Sequence, residues 1–227
     1  MKKYLLSIVA LSAFLLGSCE KESEGLTRIT YYPVLSVNGG PVVIGIGGNY
    51  TDEGCSALMN GEDVTDKVEV TNNVDNTKYG LYTVDYIVYN EDGFSASASR
   101  NVFVTNGNNF DNIYLSESQY GSRHYTDLPI KVSKNADGTY TIQDILGGFY
   151  ALGRYPQYIG TSYDFFADAV ITLNADNTIS LVSVGSWYFS SYPITITTGT
   201  FDPATGTIDF LLDFDGDPFY VQLVIPN

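Results

Sequence analysis

The chain has 227 residues, with 11 Lys and Arg against 26 Asp and Glu, which gives a formal net charge of −15 at pH 7. Such an acidic surface repels the phosphates of nucleic acids, so nucleic acid is excluded as a partner. The 19 tyrosines, 12 phenylalanines and 22 glycines favour strands joined by tight turns, and the length fits one large or two small β-domains.

The first predicted element is an export signal. Lys2 and Lys3 precede an apolar run over residues 4–16, which is shorter than the roughly 20 residues that a membrane-spanning helix needs. A charged start, an apolar run of this length and small residues before a cysteine are typical of a secretory signal that is removed. We therefore predict a signal peptide over residues 1–18, and the later sequence holds no segment long and apolar enough to span a bilayer.

The segment Leu16-Gly17-Ser18-Cys19 resembles the lipobox of bacterial lipoproteins. The resemblance implies that Cys19 is acylated and becomes the first residue of the mature chain, held at a membrane by at least two acyl chains. Two chains anchor a protein stably, whereas one does not. Residues 19–26 then form an acidic tether, which also resembles the export signal of surface-displayed Bacteroidota lipoproteins. A plain solvated linker is the alternative. We expect a lipoprotein of the outer membrane that faces outward.

Residues 27–105 are predicted to form a first β-domain. In the strand over residues 80–88, alternation places Tyr82, Val84, Tyr86 and Val88 on the same, inward face. A turn over residues 90–93 leads into a return strand whose inward phase Arg100 is expected to interrupt.

Three blocks in this domain, residues 50–55, 61–68 and 78–84, resemble bacterial surface immunoglobulin-like domains, the type named after a pesticidal crystal protein. The resemblance implies a β-sandwich that serves as a spacer or adhesion module. Cys55 departs from the family, which usually has a small aliphatic residue there. Since Cys19 is committed to lipid, Cys55 has no disulfide partner, and we expect a small buried apolar side chain.

A polar break at residues 106–109 separates this domain from a second one over residues 110–227. Successive strand–turn–strand patterns there, with alternating apolar residues over 208–214 and 219–225, predict an antiparallel meander closed into a barrel or sandwich. Residues 137–142, 147–150 and 202–208 resemble the C-terminal domain of Bacteroidota lipoproteins, which follows an immunoglobulin-like domain in those proteins. That resemblance implies no activity. The fold class is therefore predicted to be all-β throughout.

Signals for catalysis or metal binding are weak. His124 is the only histidine, which excludes a multi-histidine zinc site. Asp213, Asp215 and Asp217 alternate like the start of a calcium loop, but Pro218 and Val224 stand where such a loop needs glycine and a bidentate glutamate. There is no Gly-x-Ser-x-Gly motif. We therefore expect no enzymatic activity, no metal site and no cofactor.

Two aromatic runs, residues 149–166 and 187–192, are the most suggestive feature. Flat rings with polar tips suit the faces of sugars or peptides. The candidate ligand-binding residues are Tyr150, Tyr155, Tyr158, Trp187 and Tyr188. The alternative is that these rings plug the end of a small barrel.

The predicted function is binding of an extracellular ligand. A glycan comes first, because Bacteroidota surface lipoproteins often serve carbohydrate capture, and this is an argument from family and location alone. The alternative is a structural or assembly partner of another outer-membrane surface protein, which would expose apolar patches.

Overall fold

The computed structural model describes residues 29–227. The predicted signal peptide, Cys19 and the acidic tether lie outside the described residues, so their prediction stands on the sequence alone. Within residues 29–227, no helix has the length and apolar character needed to cross a membrane.

Residues 29–105 fold into a sandwich of two sheets. One sheet has the order β1 (Pro33–Val37), β3 (Cys55–Met59) and β4 (Glu62–Asp63). The other has the order β2 (Val42–Gly45), β7 (Ser95–Thr105), β6 (Gly80–Tyr89) and β5 (Glu69–Asn72). A 3₁₀ turn, Thr65–Lys67, links the sheets, and β2 runs parallel to β7. This is the predicted immunoglobulin-like sandwich.

The core of the sandwich follows the predicted alternation. Val84, Tyr86 and Val88 of β6 are buried. Cys55 of β3 faces them as a buried free thiol, as expected for a small apolar side chain. The turn after β6 lies where it was predicted, closed by the N–H of Gly93 on the carbonyl of Asn90 at 3.1 Å.

The side chain of Arg100 is buried in the sandwich, although Arg100 was expected to interrupt the inward-facing alternation of β7. Its side chain is 1% exposed and its guanidinium lies 2.6 Å from the carboxylate of Asp52. The same guanidinium donates to the backbone carbonyls of Asn38 and Gly54. The hydroxyl of Tyr86 donates to the same Asp52 oxygen at 2.5 Å. The buried guanidinium is therefore paired with a carboxylate and hydrogen-bonded through both terminal nitrogens, as a buried charge requires, while its Nε has no hydrogen-bond partner among the described residues.

Residues 112–224 form one antiparallel eight-stranded sheet. Its strands are β8 (Asn112–Tyr120), β9 (Arg123–Lys134), β10 (Tyr140–Ile142), β11 (Ala169–Leu173), β12 (Ile179–Val184), β13 (Ile194–Asp202), β14 (Thr207–Phe214) and β15 (Asp217–Val224). Each strand pairs with its neighbour in sequence except β12 and β13, which share a single bridge, Thr178 to Thr200. Because β15 pairs with β8, the sheet curls into a nearly closed meander barrel.

The barrel interior is apolar because alternate residues of its strands face inward, as predicted. The even-numbered residues 208–214 of β14 and the odd-numbered residues 219–223 of β15 are buried. The barrel meets the sandwich where the N–H of Asn106 bonds to the side-chain oxygen of Asn112 at 2.9 Å and Lys131 lies 5.1 Å from the ring of Tyr79. The domain boundaries 27–105 and 110–227 stay a prediction.

Candidate functional site

The end of the barrel that lies far from the sandwich collects most of the aromatic rings. β8 leaves the junction at Asn112 and ends at Tyr120, whose ring stacks on Phe219 of β15 at 5.3 Å. Antiparallel pairing brings the start of β9 and β15 and the end of β14 to the same end. The connections β10–β11 and β12–β13 supply the remaining rings.

Two glycines start the longer connection. Gly147 and Gly148 have φ of 65° and 76°, in the left-handed region that glycine tolerates best. A Cβ at Gly147 would lie 2.9 Å from a methyl carbon of Val221, so the chain passes close over β15. A short π-helix, Phe149–Arg154, follows directly. The glycine pair therefore fixes where this helix begins.

Phe149 closes the barrel end. It is fully buried, and its ring lies 4.9 Å from Tyr125 and 5.0 Å from both Tyr150 and Phe219. The edge-to-face contacts are the favourable arrangement for aromatic pairs. One part of the aromatic runs therefore forms the predicted plug.

Outside this plug, a second layer of rings surrounds an open cleft of about 260 Å³, here named the aromatic cleft. Tyr155 and Tyr188 both pack on Phe165 at 4.7 Å, and Tyr158 meets Tyr163 at 5.5 Å. The lining residues are Ala151, Tyr155, Tyr158, Ile159, Gly160, Thr161, Tyr163, Asp164, Phe165 and Phe166. The cleft thus combines ring faces with a hydroxyl and a carboxylate.

A second cleft of about 370 Å³ lies on the other side of Tyr155. Arg154 caps the Tyr155 ring at 5.2 Å, and Tyr192 and Asp215 line the far side. Tyr155 is shared by both clefts, so a ligand longer than one cleft would have to pass this ring.

The structure brings the five predicted residues together but in two layers. Tyr150 and Trp187 are buried, 6% and 5% exposed, with rings 5.9 Å apart in the barrel core. Tyr155 is half-buried at the cleft wall. Tyr158 and Tyr188 are 37% and 53% exposed. The last three offer the larger surface to a ligand, while Tyr150 also lines the second cleft despite its burial. The role of all five as ligand-binding residues stays a prediction.

Two exposed rings were not among the five candidates. Tyr163 lines the aromatic cleft and is 50% exposed, and Tyr192 lines the second cleft and is 45% exposed. Small polar residues precede both, at 160–162 and 190–191. That composition is typical of exposed loops and could have identified these tyrosines.

The other suggestive residues lie apart from the clefts or serve local structure. His124 pairs with Glu117 at 2.8 Å on the outer face of the barrel. Asp213 accepts the N–H of Gly216 at 2.8 Å, and Asp217 accepts the hydroxyl of Tyr120 at 3.1 Å, so these carboxylates hold the β14–β15 turn. In the described part of the chain, no three His, Cys, Asp or Glu side chains are grouped to hold a metal ion.

Asp144 is a fully buried carboxyl beneath the aromatic end. One oxygen accepts the N–H of Leu146 at 2.8 Å, and the other has no hydrogen-bond partner among the described residues. Burial raises the pKa of Asp144 to about 7, and the nearby charge of Asp164 adds to this, while backbone N–H groups oppose it. The folded protein therefore holds a proton there that the unfolded chain releases near pH 4.

This proton predicts an unusual pH dependence. Because the native state binds the proton more tightly, Asp144 should cost stability as the pH rises from its unfolded pKa towards 7. The expected loss is about 3 kcal/mol between roughly pH 4.5 and pH 7. Asp144→Asn should not show this pH-dependent loss of stability. Urea unfolding of both proteins at both pH values measures the free energy of unfolding, and the difference between their pH dependences is the contribution of Asp144. An unchanged pH slope in the variant would contradict the prediction.

The fold and the site define an all-β protein in which an immunoglobulin-like sandwich is followed by a nearly closed barrel with an aromatic end. A family model for the immunoglobulin-like domain of bacterial surface proteins matches residues 36–104. A second family model, described as a C-terminal domain, matches residues 71–224. Since this second match spans more than half of the chain, the protein belongs to the family that this C-terminal domain defines. Both models agree with the resemblances inferred from the sequence, and neither description names a catalytic activity.

A solved structure, the lipoprotein BT2262 from Bacteroides thetaiotaomicron, is 27% identical and superposes with a TM-score of 0.57, covering 86% of this chain and 100% of that one. The fold is therefore that of a Bacteroidota lipoprotein, and the immunoglobulin-like domain indicates a cell-envelope surface protein.

Two structures of Clostridium perfringens ZmpB are more distant. The M60 catalytic domain with CBM51-1 and CBM51-2 gives a TM-score of 0.30 at 14% identity, covering 87% of this chain and 21% of that one. CBM51-2 in complex with GlcNAc, with INT domains, gives 0.28 at 13%, covering 85% and 43%. Scores this low carry no argument about this chain. No curated protein sequence matches it.

Proposed function

We propose that this protein is a non-enzymatic lipoprotein of the outer membrane, anchored through Cys19, whose barrel binds an extracellular glycan in the aromatic cleft. The observation that carries the proposal is the exposure of Tyr158 and Tyr163 in the wall of one cleft, with the exposed ring of Tyr188 packed beside it on Tyr163 and Phe165. Exposed rings of this size bring contact area to a ligand at little entropic cost.

The polar groups and the charge of the chain favour an uncharged ligand. Thr161 and Asp164 lie in the cleft wall. The Thr161 hydroxyl already donates to the carbonyl of Tyr158, and one Asp164 oxygen accepts the N–H of Phe166. Both side chains therefore offer their remaining acceptor capacity to sugar hydroxyls. The formal charge of −15 disfavours acidic polysaccharides, because like charges repel as the two surfaces approach. A neutral oligosaccharide of a size that one cleft of about 260 Å³ can hold fits both features.

The proposal predicts a specific loss of binding. In the full mature chain carrying Cys19→Ser, Tyr158→Ala and Tyr188→Ala should each weaken binding to a neutral glycan about tenfold, since a lost ring contact is worth about 1 kcal/mol or slightly more. A panel of immobilised glycans identifies the ligand, and calorimetry then measures each variant. Tyr220→Ala is the matched control, because Tyr220 is also 53% exposed but lies on the outer face of β15. Equal losses in all three variants, or no glycan bound by the parent, would sink the proposal.

Trp187→Ala is not a clean test of the same site. Its ring packs at 5.5 Å on Phe189 and 6.1 Å on Phe214 inside the barrel, so its removal would perturb the fold. The alternative function, assembly with another surface protein, calls for an exposed apolar patch. The sandwich carries such a patch, but the partner proposed for it below is a lipid bilayer and not a protein.

A further inference from the structure

Exposed apolar side chains gather at one end of the sandwich. This group, here named the tether-end patch, consists of Ile29, Tyr31, Tyr32, Val34, Tyr89 and Phe94, each more than 40% exposed. Ile29, Tyr31 and Tyr89 line one side of an open hollow of about 510 Å³ together with Met59 and Val64. The rest of its wall is polar, formed by Asn60, Glu62, Lys67, Asn90, Glu91 and Asp92. A gathering of exposed apolar residues of this kind on a folded domain marks a contact surface.

The patch is internally ordered. The rings of Tyr32 and Phe94 pack at 5.0 Å, and the side-chain amide of Asn90 donates to the carbonyl of Tyr31 at 2.8 Å. Val34 stands opposite Leu58 in the β1–β3 ladder, and Leu58 is exposed as well. These contacts hold the segment before β1 against the β6–β7 turn, so the rings are presented together.

The patch lies at the end of the sandwich opposite the barrel. β6 begins at Gly80, close to Lys131 of the barrel, and ends at Tyr89 in the patch. Ten residues of strand span about 30 Å. β7 runs back from Ser95, next to Phe94, to Thr105 at the junction. The two long central strands therefore separate the patch from the barrel and from its aromatic cleft.

The patch is also the end at which the chain arrives from its anchor. Ile29 is ten residues after Cys19, and a chain of that length reaches at most about 35 Å. A lipid on Cys19 would keep the patch within that distance of the bilayer, at a high effective concentration. Even a contact too weak to recruit a free protein would then be populated.

We propose that the tether-end patch rests on the bilayer that holds Cys19, with its tyrosines and Phe94 at the level of the lipid head groups. Tyrosines are favoured at this depth, because their rings are apolar and their hydroxyls stay hydrated. The acidic chain gains nothing from anionic lipid, so the contact is with the interface of zwitterionic lipid. It holds the sandwich upright and directs the barrel away from the membrane. This inference rests on the proposed anchor at Cys19 and not on the glycan site.

Quenching by brominated lipid tests the proposal. The lipidated full-length protein carrying Phe94→Trp is reconstituted into phosphatidylcholine vesicles with and without brominated acyl chains. The emission of the new tryptophan should fall in brominated vesicles, whereas that of buried Trp187 should not change. Tyr220→Trp is the matched control on the outer barrel face and should keep its emission. Adding Tyr32→Ser to Phe94→Trp should reduce the quenching.

Vesicle flotation separates the two ways in which the proposal can fail. Protein that floats with the vesicles but keeps the emission of Phe94→Trp overturns the contact and leaves the anchor intact. Protein that does not float overturns the anchor and the contact together. Concentration-dependent cross-linking through the patch without quenching would assign the surface to a second copy of the chain, which also overturns the proposal.

Discussion

Asp52→Ala should destabilise the immunoglobulin-like domain by about 3–5 kcal/mol, because it leaves the guanidinium of Arg100 buried without a counter-charge. The Arg100 side chain is 1% exposed and that of Asp52 25%, so solvent can hydrate the carboxylate but not the guanidinium. Arg100→Met should therefore cost less than Asp52→Ala. It keeps the volume of the side chain and leaves Asp52 with the hydroxyls of Tyr50 and Tyr86 as donors.

The double variant measures how strongly Asp52 and Arg100 depend on each other. Replacing a buried ion pair by apolar residues is often nearly neutral, so Asp52→Ala with Arg100→Met should recover most of the stability that Asp52→Ala loses. A double variant as unstable as the sum of the single variants would show that the two side chains do not act as a pair.

The chain supplies one reporter for each domain, which makes this measurement direct. In a Cys19→Ser background, Cys55 is the only thiol and is buried in the sandwich, so its labelling rate follows the opening of that domain. Trp187 is the only tryptophan and is buried in the barrel. Asp52→Ala should accelerate thiol labelling and leave the fluorescence transition in place.

Low pH should weaken the interaction between Asp52 and Arg100. Burial opposes ionisation of Asp52, but hydrogen bonds from Tyr86, Gly54 and Tyr50, with the charge of Arg100, outweigh it and lower the pKa of Asp52. Asp52 therefore contributes stability above its unfolded pKa of roughly 4, and this contribution is lost as the pH falls below that value. Asp144 acts in the opposite direction and in a higher pH range, so the two domains should differ in their response to pH.

The strands were predictable where one face is buried and the other solvated. The alternation in β6, β14 and β15 needs only local sequence, and each of these strands lies where the pattern put it. The partner of Arg100 was not predictable in this way. Asp52 is 48 residues away and reaches Arg100 only because the two sheets pack face to face. A charged residue in an apolar phase signals a buried partner but does not identify it.

The aromatic site was predicted at the level of segments. The runs do meet at one end of the barrel, but whether a ring is plug or surface depends on the π-helix that follows Gly148. Adjacent residues also separate in the β12–β13 connection, where Trp187 is buried and Tyr188 is exposed. The aromatic runs therefore form both a buried plug in the barrel end and an exposed layer of rings outside it.

Phe149→Ala should cost the barrel about 3–5 kcal/mol, because it removes a fully buried ring that touches four others and leaves a cavity at the barrel end. Urea unfolding followed by Trp187 fluorescence measures this loss, and Tyr163→Ala, at a site 50% exposed, should stay within about 0.5 kcal/mol of the parent. Thiol labelling of Cys55 should be unchanged in both variants. Since Phe149 lies beneath Tyr150 and lines neither cleft, its removal tests whether the plug supports the exposed layer. If Phe149→Ala lost as little stability as Tyr163→Ala, the strands alone would hold the barrel end and the plug would contribute little.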